Sequence, residues 1–519
     1  MKASRVAMAV SALMGGVCIT PAEALDLYVD VKTNQVYTVP GPHRVKLGAF
    51  KQVDEMAGEM AAEAPAQVAS VDDVKKVESK LNQKIDAIAN KPKKPNESKG
   101  TIDGKGIRWE TNDGKFKFSI NGRLHTDANL NSGGDIITYN DNSNTGTFEP
   151  GDPITQNRLT DGTEIRRFRM EFAGQFYDDF LWKMQPEIAN AGGDGTIGIR
   201  DAFIQYTGFD WGKWTLGQSK QPFSYQQMMS SNDMPFMERS LEYEFTNRSV
   251  NRAVGIRYDI GGEQWGFGVG WYGDTATRQA SGTTAADDEG WGAAARLTAA
   301  PIYTPDTLLH VGTSVAYRAP RSGDPNIRYR IAPSAIDHVN YLDTGNLKGY
   351  ENSQFFNAEA TGAWGPLSFE GEYNATWLNR DSGYDDGFLS GYHFDLIYSL
   401  TGESRAAFYN AEQGVIRKLR PNQNFDLAGG WGAWELKGRI MYVDMNNVGD
   451  PGNTGGRELA STFGVNWHWN DWARLLVDWT HVWNLDVGAA SVRRAQLCCI
   501  PGNNTGGWDQ VSARVSLAY

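Results

Sequence analysis

Hydrophobic and polar residues alternate strictly along the last nine positions of the chain, V-S-A-R-V-S-L-A-Y over 511–519. Val511 and Val515 fall on one face of an extended strand and Arg514 falls on the other, because successive side chains of a strand point to opposite sides. The segment ends on the aromatic Tyr519. One such strand is common in soluble proteins, so the meaning of the pattern depends on how often it recurs.

The same period of two recurs over 116–125, 167–176, 367–377 and 434–442. One face of each segment carries Phe, Leu, Ile, Tyr, Trp and Gly, and the other carries Lys, Arg, Glu, Asn and Ser. Charged residues are costly in the core of a β-sandwich but are typical of a water-filled lumen. The pattern therefore predicts an all-β membrane protein, a closed antiparallel transmembrane β-barrel of roughly sixteen strands.

The connections between these segments alternate in length, which is the asymmetry expected of an outer-membrane barrel with short periplasmic turns and long outer loops. Short turns are predicted at 177–179, 261–263, 365–366 and 470–471, and long loops at 131–163, 222–251, 274–289, 319–352, 444–457 and 484–507. The strand count is open between 401 and 430, where the alternation fades.

The amino terminus has the form of a secretory signal peptide. Lys2 and Arg5 precede an apolar segment over 6–19 that is too short to span a bilayer. Ala22-Glu23-Ala24 matches an A-x-A cleavage site, so the mature chain is expected to begin at Leu25. Export and the alternating strands together predict a bacterial outer membrane location.

A periplasmic segment over 25–100 is expected between the signal peptide, residues 1–24, and the barrel, residues 101–519. Apolar residues recur at helical spacing within 56–90, and a Lys/Pro-rich linker follows at 91–95. A short coiled coil between subunits would bury the apolar stripe. A solvated helix lying on its own barrel is the alternative.

Composition agrees with a barrel and excludes several other classes. Aromatic residues make up 12% of the chain, with 17 Trp, while the mean hydropathy is −0.49. Many Trp and Tyr residues suit the aromatic girdles of a barrel at the membrane interfaces. The net charge is −12, and because residues 1–100 carry +2, the remainder carries −14. No nucleic-acid partner is expected, since such partners require a basic surface.

Cysteine and histidine usage points to no redox, metal or enzymatic chemistry. After signal removal only the adjacent Cys498 and Cys499 are left, which cannot build a disulfide framework and lack metal-site spacing. The seven His residues are scattered and none lies in a recognisable nucleophile motif. We therefore expect neither a catalytic activity nor a cofactor.

Five short segments resemble, in order, those of the phosphate-selective porins, the O and P porins: L-G-Q-S-K-Q-P-F (216–223), F-M-E-R-S-L (236–241), F-T-N-R (245–248), L-T-G-E (400–403) and G-A-W-E-L (432–436). The resemblance covers about 101–519. It implies a sixteen-stranded barrel that assembles as a homotrimer in outer-membrane lipid, and one loop that folds into the pore. By position that loop is 222–251.

The resemblance also implies passive diffusion of small inorganic anions, with phosphate or related oxyanions preferred. Arginine suits this task because its planar guanidinium forms paired, charge-assisted hydrogen bonds to oxyanions. Alternate residues of each predicted strand point into the lumen, a rule we call strand parity. It places the following basic residues in the lumen: Arg123, Arg167, Arg169, Lys183, Arg257, Arg296 and Arg439. Lys220 and Arg239, from the first two matching segments, are further candidates for the pore lining.

Arg328 and Arg330 resemble an R-x-R-x-R ladder of that family, but Ala332 stands where the third basic residue is expected. This departure weakens the case for phosphate specificity. Each arginine has an alternative role as the partner of a lumen carboxylate. A bulge in the strand over 167–176 would exchange the roles of Arg166 and Arg167.

Three alternatives stay open from the residues alone. A general or weakly cation-selective porin would fit the acidic barrel segment. A porin for sugars or neutral solutes would use lumen aromatics, although most Trp residues fall on the apolar face. A soluble β-sandwich would explain the alternation but neither the loop asymmetry nor the terminal Tyr519 strand.

Overall fold

The structure is a computed structural model of the 519-residue chain. It describes residues 25–30, 36–50, 79–80, 97–103, 106–132, 136–139, 154–157, 159, 161–189, 197–247, 249–275, 288–321, 325–332, 340–426, 428–449, 455–487 and 508–519. The chain divides into two compact units, Met1–Pro92 and Lys93–Tyr519.

Sixteen antiparallel strands of the second unit form a closed barrel, as the alternation predicted. They are Phe116–Ser132 (β1), Gly162–Phe176 (β2), Phe180–Glu187 (β3), Gly198–Phe209 (β4), Gly212–Lys220 (β5), Arg252–Gly261 (β6), Trp265–Tyr272 (β7), Gly292–Tyr303 (β8), Thr307–Arg318 (β9), Tyr350–Trp364 (β10), Leu367–Arg380 (β11), Gly387–Ser399 (β12), Ala433–Asn447 (β13), Gly456–His468 (β14), Ala473–Val487 (β15) and Trp508–Ala518 (β16).

The barrel closes where the last strand pairs with the first, from Asp509 opposite Ser132 to Ala518 opposite Arg123. Closure matters because a strand edge exposed to lipid would leave N–H and C=O groups without partners. A hairpin of Ser98–Asp103 and Gly106–Thr111 pairs with the opening residues of β1, which the last strand does not reach.

Burial along the strands follows the alternation. In β16, Val511 and Val515 are exposed on the outer surface, whereas Ser512 and Arg514 are buried inside the barrel. Aromatic rings contact one another around the short-turn end of β2 to β6, including Phe180, Tyr206, Phe209, Trp211 and Tyr258. This arrangement fits an aromatic girdle at a membrane interface. Within the described part of the chain, no helix has the length and apolar character needed to cross a membrane.

The connections confirm the predicted asymmetry, with short turns at 177–179, 262–264, 304–306, 365–366 and 469–472 and long loops at the opposite end. One connection departs from it. Residues 400–432, at the short-turn end, add no barrel strand and contain instead a 3-10 helix, Arg405–Phe408, and a small hairpin of Tyr409–Asn410 and Val415–Ile416.

The long loop between β5 and β6 contains two short helices, Tyr225–Met228 (α1) and Leu241–Asn247 (α2). Two further strand pairs lie in the long loops, Ile136–Tyr139 with Ile154–Asn157, and Arg330–Ile331 with Leu342–Asp343.

The first unit contains a three-stranded sheet of Leu25–Asp30, Val36–Tyr37 and Arg44–Phe50. The predicted signal peptide, the linker at 91–95 and both remaining cysteines lie outside the described residues. The same holds for the predicted helix over 56–90, apart from residues 79–80, which are helical.

Candidate pore and anion-binding site

The loop between β5 and β6, residues 221–251, crosses the inside of the barrel. Its backbone N–H at Tyr225 donates to Glu372 on β11 (2.6 Å), and the N–H at Met237 donates to Asp478 on β15 (2.9 Å). Contacts with such distant strands require the loop to span the lumen. This confirms the expected inward fold and rules out an ordinary surface loop; we call residues 221–251 the constriction loop.

The constriction loop is held by apolar side chains as well as by hydrogen bonds. Phe223, Met229, Phe236 and Phe245 are each buried to 2% exposure or less. Burying a side chain of this size stabilises the folded state by about 1.5–3 kcal/mol. The alternation rule cannot anticipate these positions, because the loop packs against a polar lumen wall.

The connection over 400–432 enters the lumen from the opposite end, which the sequence did not predict. The N–H of Ile416 donates to the hydroxyl of Tyr225 in the constriction loop (3.1 Å). Arg296 on β8 donates to the carbonyl of Gln413 (2.7 Å). The connection and the constriction loop thus pack together over the wall formed by β8 to β10.

A cavity of about 860 Å³ is left open against the wall formed by β1 to β6. Basic side chains outnumber acidic ones in its lining: Arg123, Arg166, Arg167, Arg169, Lys183, Arg200, Lys213, Lys220, Arg239, Arg252, Arg257 and Arg417 face Glu171, Asp201, Glu238, Glu244, Asp259 and Glu412. The lining of this space, which we call the main cavity, is therefore net positive inside a chain whose overall charge is negative.

The main cavity continues in both directions along the barrel. A space of about 470 Å³ on the long-loop side shares Arg200 and Arg252 with it and adds Arg318, Arg321 and Arg328. On the other side, a space of about 260 Å³ shares Arg123 and Arg169 with the main cavity. Arginine side chains thus follow the whole path.

Three predicted cations, Arg123, Lys220 and Arg239, converge on one segment of the constriction loop, residues 226–231. Arg123 donates to the hydroxyls of Ser230 and Ser231 (3.4 and 2.8 Å). Lys220 donates to the carbonyls of Met228 and Met229 (both 3.0 Å).

Arg239 donates to the carbonyls of Gln226 and Met229 (2.7 and 2.9 Å). Among the described residues, none of Arg123, Lys220 and Arg239 forms an ion pair with a carboxylate. We call these three the cation trio. Their hydrogen bonds are to neutral oxygens, Arg239 also lies over the ring of Tyr243 (4.7 Å to its centroid), and all three face the main cavity.

Most other predicted cations are paired. The pairs are Arg167 with Glu238, Arg169 with Glu187, Lys183 with Glu171, Arg257 with Asp259, Arg296 with Glu359, Arg328 with Asp343 and Arg439 with Asp395. The alternative role, a lumen ion pair, therefore holds for these seven. Arg167, Arg169, Lys183 and Arg257 line the main cavity despite their partners.

The remaining positions lie away from the main cavity. Arg296 is buried beneath the connection over 400–432, and Arg439 lines a smaller space of about 190 Å³ on the far side of the constriction loop. Arg330 is exposed on its short strand, although Arg328 two residues earlier faces the long-loop space. The two therefore do not form a continuous ladder with Ala332.

A bulge in β2 brings two adjacent arginines to the same side. The register with β1 passes from Arg167 opposite His125 to Ile165 opposite Thr126, so Arg166 has no partner across the ladder. An extra residue in one strand re-aims the neighbouring side chains. Arg166 and Arg167 consequently both face the lumen. A simple exchange of their roles was expected from a bulge, whereas both residues line the main cavity.

Several lumen cations were not among the sequence candidates. Arg200 and Arg252 lie near the starts of β4 and β6, beside long loops, and line the main cavity. Strict alternation would place them on the face opposite to Asp201 and Arg257, so parity could not have found them. Arg514 lies on the polar face of the last strand, where parity could have found it. Arg417 had no signal, because its segment shows no alternation.

Comparison with solved structures returns outer-membrane proteins. In-vitro folded OmpT of Vibrio cholerae matches with a TM-score of 0.45 and 10% identity, over 78% of this chain and 98% of that one. Salmonella typhi OmpF, in a complex with daunomycin, matches with a TM-score of 0.41 and 11% identity, over 78% and 98%.

Sequence comparison is more specific. Porin O of Pseudomonas aeruginosa is 27% identical over 395 residues, which cover 70% of this chain and 83% of that protein. The family model described as phosphate-selective porin O and P matches residues 137–494. The chain is therefore an outer-membrane porin and belongs to the family of phosphate-selective porins O and P.

Proposed function

We propose that this porin conducts small anions by passive diffusion and prefers phosphate or a related oxyanion. The observation that carries the proposal is the cation trio, which faces the main cavity and has no carboxylate partner in the part of the chain that the structure describes. A cation paired with a carboxylate offers an arriving anion little net attraction. A cation held only by carbonyl and hydroxyl oxygens has no carboxylate that would offset its attraction for an arriving anion.

The arrangement also suits the release that conduction requires. Arg123 and Arg239 present planar forks and Lys220 presents a compact ammonium group, so together they can replace part of the hydration shell of a tetrahedral oxyanion. Paired arginines on either side offer weaker, stepwise contacts. Binding that is shared along a path draws the ion in without trapping it.

Homotrimeric assembly is part of the proposal. Trimerisation would cover part of the apolar outer face of each barrel, and a coiled coil formed by residues 56–90 would hold the periplasmic segments together. Chemical cross-linking of the full-length mature chain, compared with a chain that begins after the linker, would test both points.

The decisive test is electrophysiological. The purified protein, in a planar bilayer under a tenfold KCl gradient, is expected to show a reversal potential of anionic sign. Phosphate added to the chloride solution is expected to reduce the chloride current at millimolar concentration or below. A cationic reversal potential without block by phosphate would contradict the proposal and favour the general, weakly cation-selective porin.

A sugar or neutral-solute porin predicts a third outcome. In that case phosphate leaves the chloride current unchanged, while a sugar reduces it in a saturable way. Measuring both solutes on the same channels separates the two hypotheses.

A further inference from the structure

Glu238, in the constriction loop, lies inside a nest of three arginines. Arg166 donates to its two carboxylate oxygens (3.0 and 3.4 Å), and Arg167 does the same (3.1 and 2.9 Å). Arg514 adds a fifth hydrogen bond (2.6 Å). The carboxylate thus receives the kind of paired contacts that guanidinium groups offer a free oxyanion. We call this group the arginine nest.

Two of the three arginines of the nest are buried, Arg166 is 25% exposed, and the carboxylate is accessible. The side chains of Arg167 and Arg514 are 5% and 1% exposed, whereas that of Glu238 is 33% exposed. Arg514 is further fixed by Asp127, which receives two hydrogen bonds of 2.7 and 2.6 Å. Arg167 and Arg514 are therefore the enclosed part of the group, and the carboxylate is the part that a solute can reach and replace.

Glu238 also separates two spaces in the lumen. It lines the main cavity of about 860 Å³ and the smaller space of about 190 Å³ on the other side of the constriction loop. Burial by itself would raise the pKa of Glu238, but Arg166, Arg167 and Arg514 hold that pKa well below its ordinary value. The carboxylate is thus ionised throughout the physiological pH range.

We propose that Glu238 is a built-in competitor for the permeating oxyanion. The arginine nest takes a tetrahedral oxyanion only when the Glu238 carboxylate gives way, and the carboxylate returns to expel that ion. Exchange of one anion for another keeps the nest from becoming a trap. This inference rests on the proposed oxyanion conduction and assigns a regulatory role within the same pore.

The test compares two carboxylates of the constriction loop. Glu244 lines the same two spaces as Glu238 but forms no ion pair with any described residue. Burial and repulsion from Glu238 raise its pKa, so recordings at pH 8 are chosen to favour its ionised form. Glu238→Ala and Glu244→Ala remove the same charge from the same loop, but only the first opens the nest.

In Glu238→Ala, the phosphate concentration that halves the chloride current is expected to fall about tenfold or more, because three arginines lose their internal anion. The conductance in potassium phosphate is expected to fall as well, since tighter binding slows release. In Glu244→Ala the half-blocking concentration should fall clearly less than in Glu238→Ala, because the Glu244 carboxylate occupies no arginine nest. Equal shifts in the two variants, or no shift in Glu238→Ala, would overturn the inference.

Chemical rescue gives an independent readout. Acetate added to Glu238→Ala should occupy the nest and return the half-blocking phosphate concentration towards that of the unmodified porin. The same acetate should leave the unmodified porin nearly unchanged. An acetate effect of equal size in both proteins would count against the exchange.

Folding and the underlying function are checked separately. If Glu238→Ala does not form heat-resistant barrels, Glu238→Gln removes the charge while preserving the side-chain shape, and the same shift is expected. If phosphate does not block the unmodified porin, both the proposed function and this inference are contradicted. If phosphate blocks the unmodified porin and Glu238→Gln at the same concentration, only this inference is contradicted.

Discussion

The wall of β1 to β6 and the wall of β8 to β15 both carry charged residues on their inner face, yet only the first faces an open main cavity. On the first wall lie Arg123 and Lys220, which lack carboxylate partners among the described residues. On the second wall, the constriction loop and the connection over 400–432 cover the charges. Many of the charged residues there are buried in ion pairs, as in the contact of Arg296 and His310 with Glu359.

The second wall contains further buried ion pairs of this kind. Glu435 accepts from Arg405 of the inserted connection (2.8 Å) and contacts His468 (2.8 Å). Arg439 pairs with Asp395 through two hydrogen bonds of 2.7 Å each. Charges removed from water in this way position the inserted segments, while charges left facing the cavity are available to a solute. The same residue type therefore holds inserted segments in place on one wall and faces the open cavity on the other.

The largest effect is expected from removing a buried ion pair of the second wall. Glu359→Ala leaves Arg296 buried without its carboxylate, and breaking a buried pair costs about 3–5 kcal/mol. The temperature at which the barrel loses its heat-resistant mobility in SDS gels should fall clearly. The reversal potential of the channels that still fold should change little. A large change in selectivity without loss of heat resistance would mean that this wall also faces the conduction path.

The next largest effect is expected from removing a cation of the first wall. Lys220→Gln or Arg123→Gln removes one member of the cation trio, and a charge-assisted hydrogen bond contributes about 1.5–3 kcal/mol. The phosphate concentration that halves the chloride current should rise about 10- to 100-fold in each variant. Arg457→Gln, which removes an exposed charge of a loop-side ion pair, is the matched control and should behave as the unmodified porin.

A smaller effect should come from loosening the cover of the second wall. Gly414, in the connection over 400–432, has a positive φ of 58°, and an added Cβ would lie 2.8 Å from the side chain of Thr298. Gly414→Ala should cost about 1–2 kcal/mol. Its single-channel conductance in KCl should increase modestly as the hairpin moves away from β8. Unchanged conductance would indicate that the hairpin does not limit the open area.

The smallest effect is expected at the two arginines that resemble a ladder. Arg330 is exposed, so Arg330→Gln should change the half-blocking phosphate concentration less than about twofold, as is usual for surface charges. Arg328→Gln, which removes a charge from the long-loop space, should have the larger effect of the two. The reverse order in a phosphate titration would restore the ladder interpretation.

The direction of a side chain on a strand could be predicted from the sequence. Its ion-pair partner could not be predicted where that partner lies on a distant element. Parity correctly turned Arg169 and Arg439 inwards, because alternation follows from backbone geometry alone. It could not reveal that Arg514 meets Asp127 across the closing seam of the barrel, 387 positions earlier in the chain. Nor could it reveal the bulge that turns Arg166 inwards beside Arg167.

The sequence by itself determined the barrel, its approximate strand number, the ends that carry short and long connections, and the loop that enters the pore. The barrel, its strand number and the ends of its connections follow from local periodicity and from the need to pair every backbone group in lipid. The loop that enters the pore was placed by the resemblance to a known family. Only the tertiary structure decided which lumen charges are paired, which wall is covered and where the open cavity lies. Those properties depend on contacts between residues far apart in the chain, and local periodicity carries no information about such contacts.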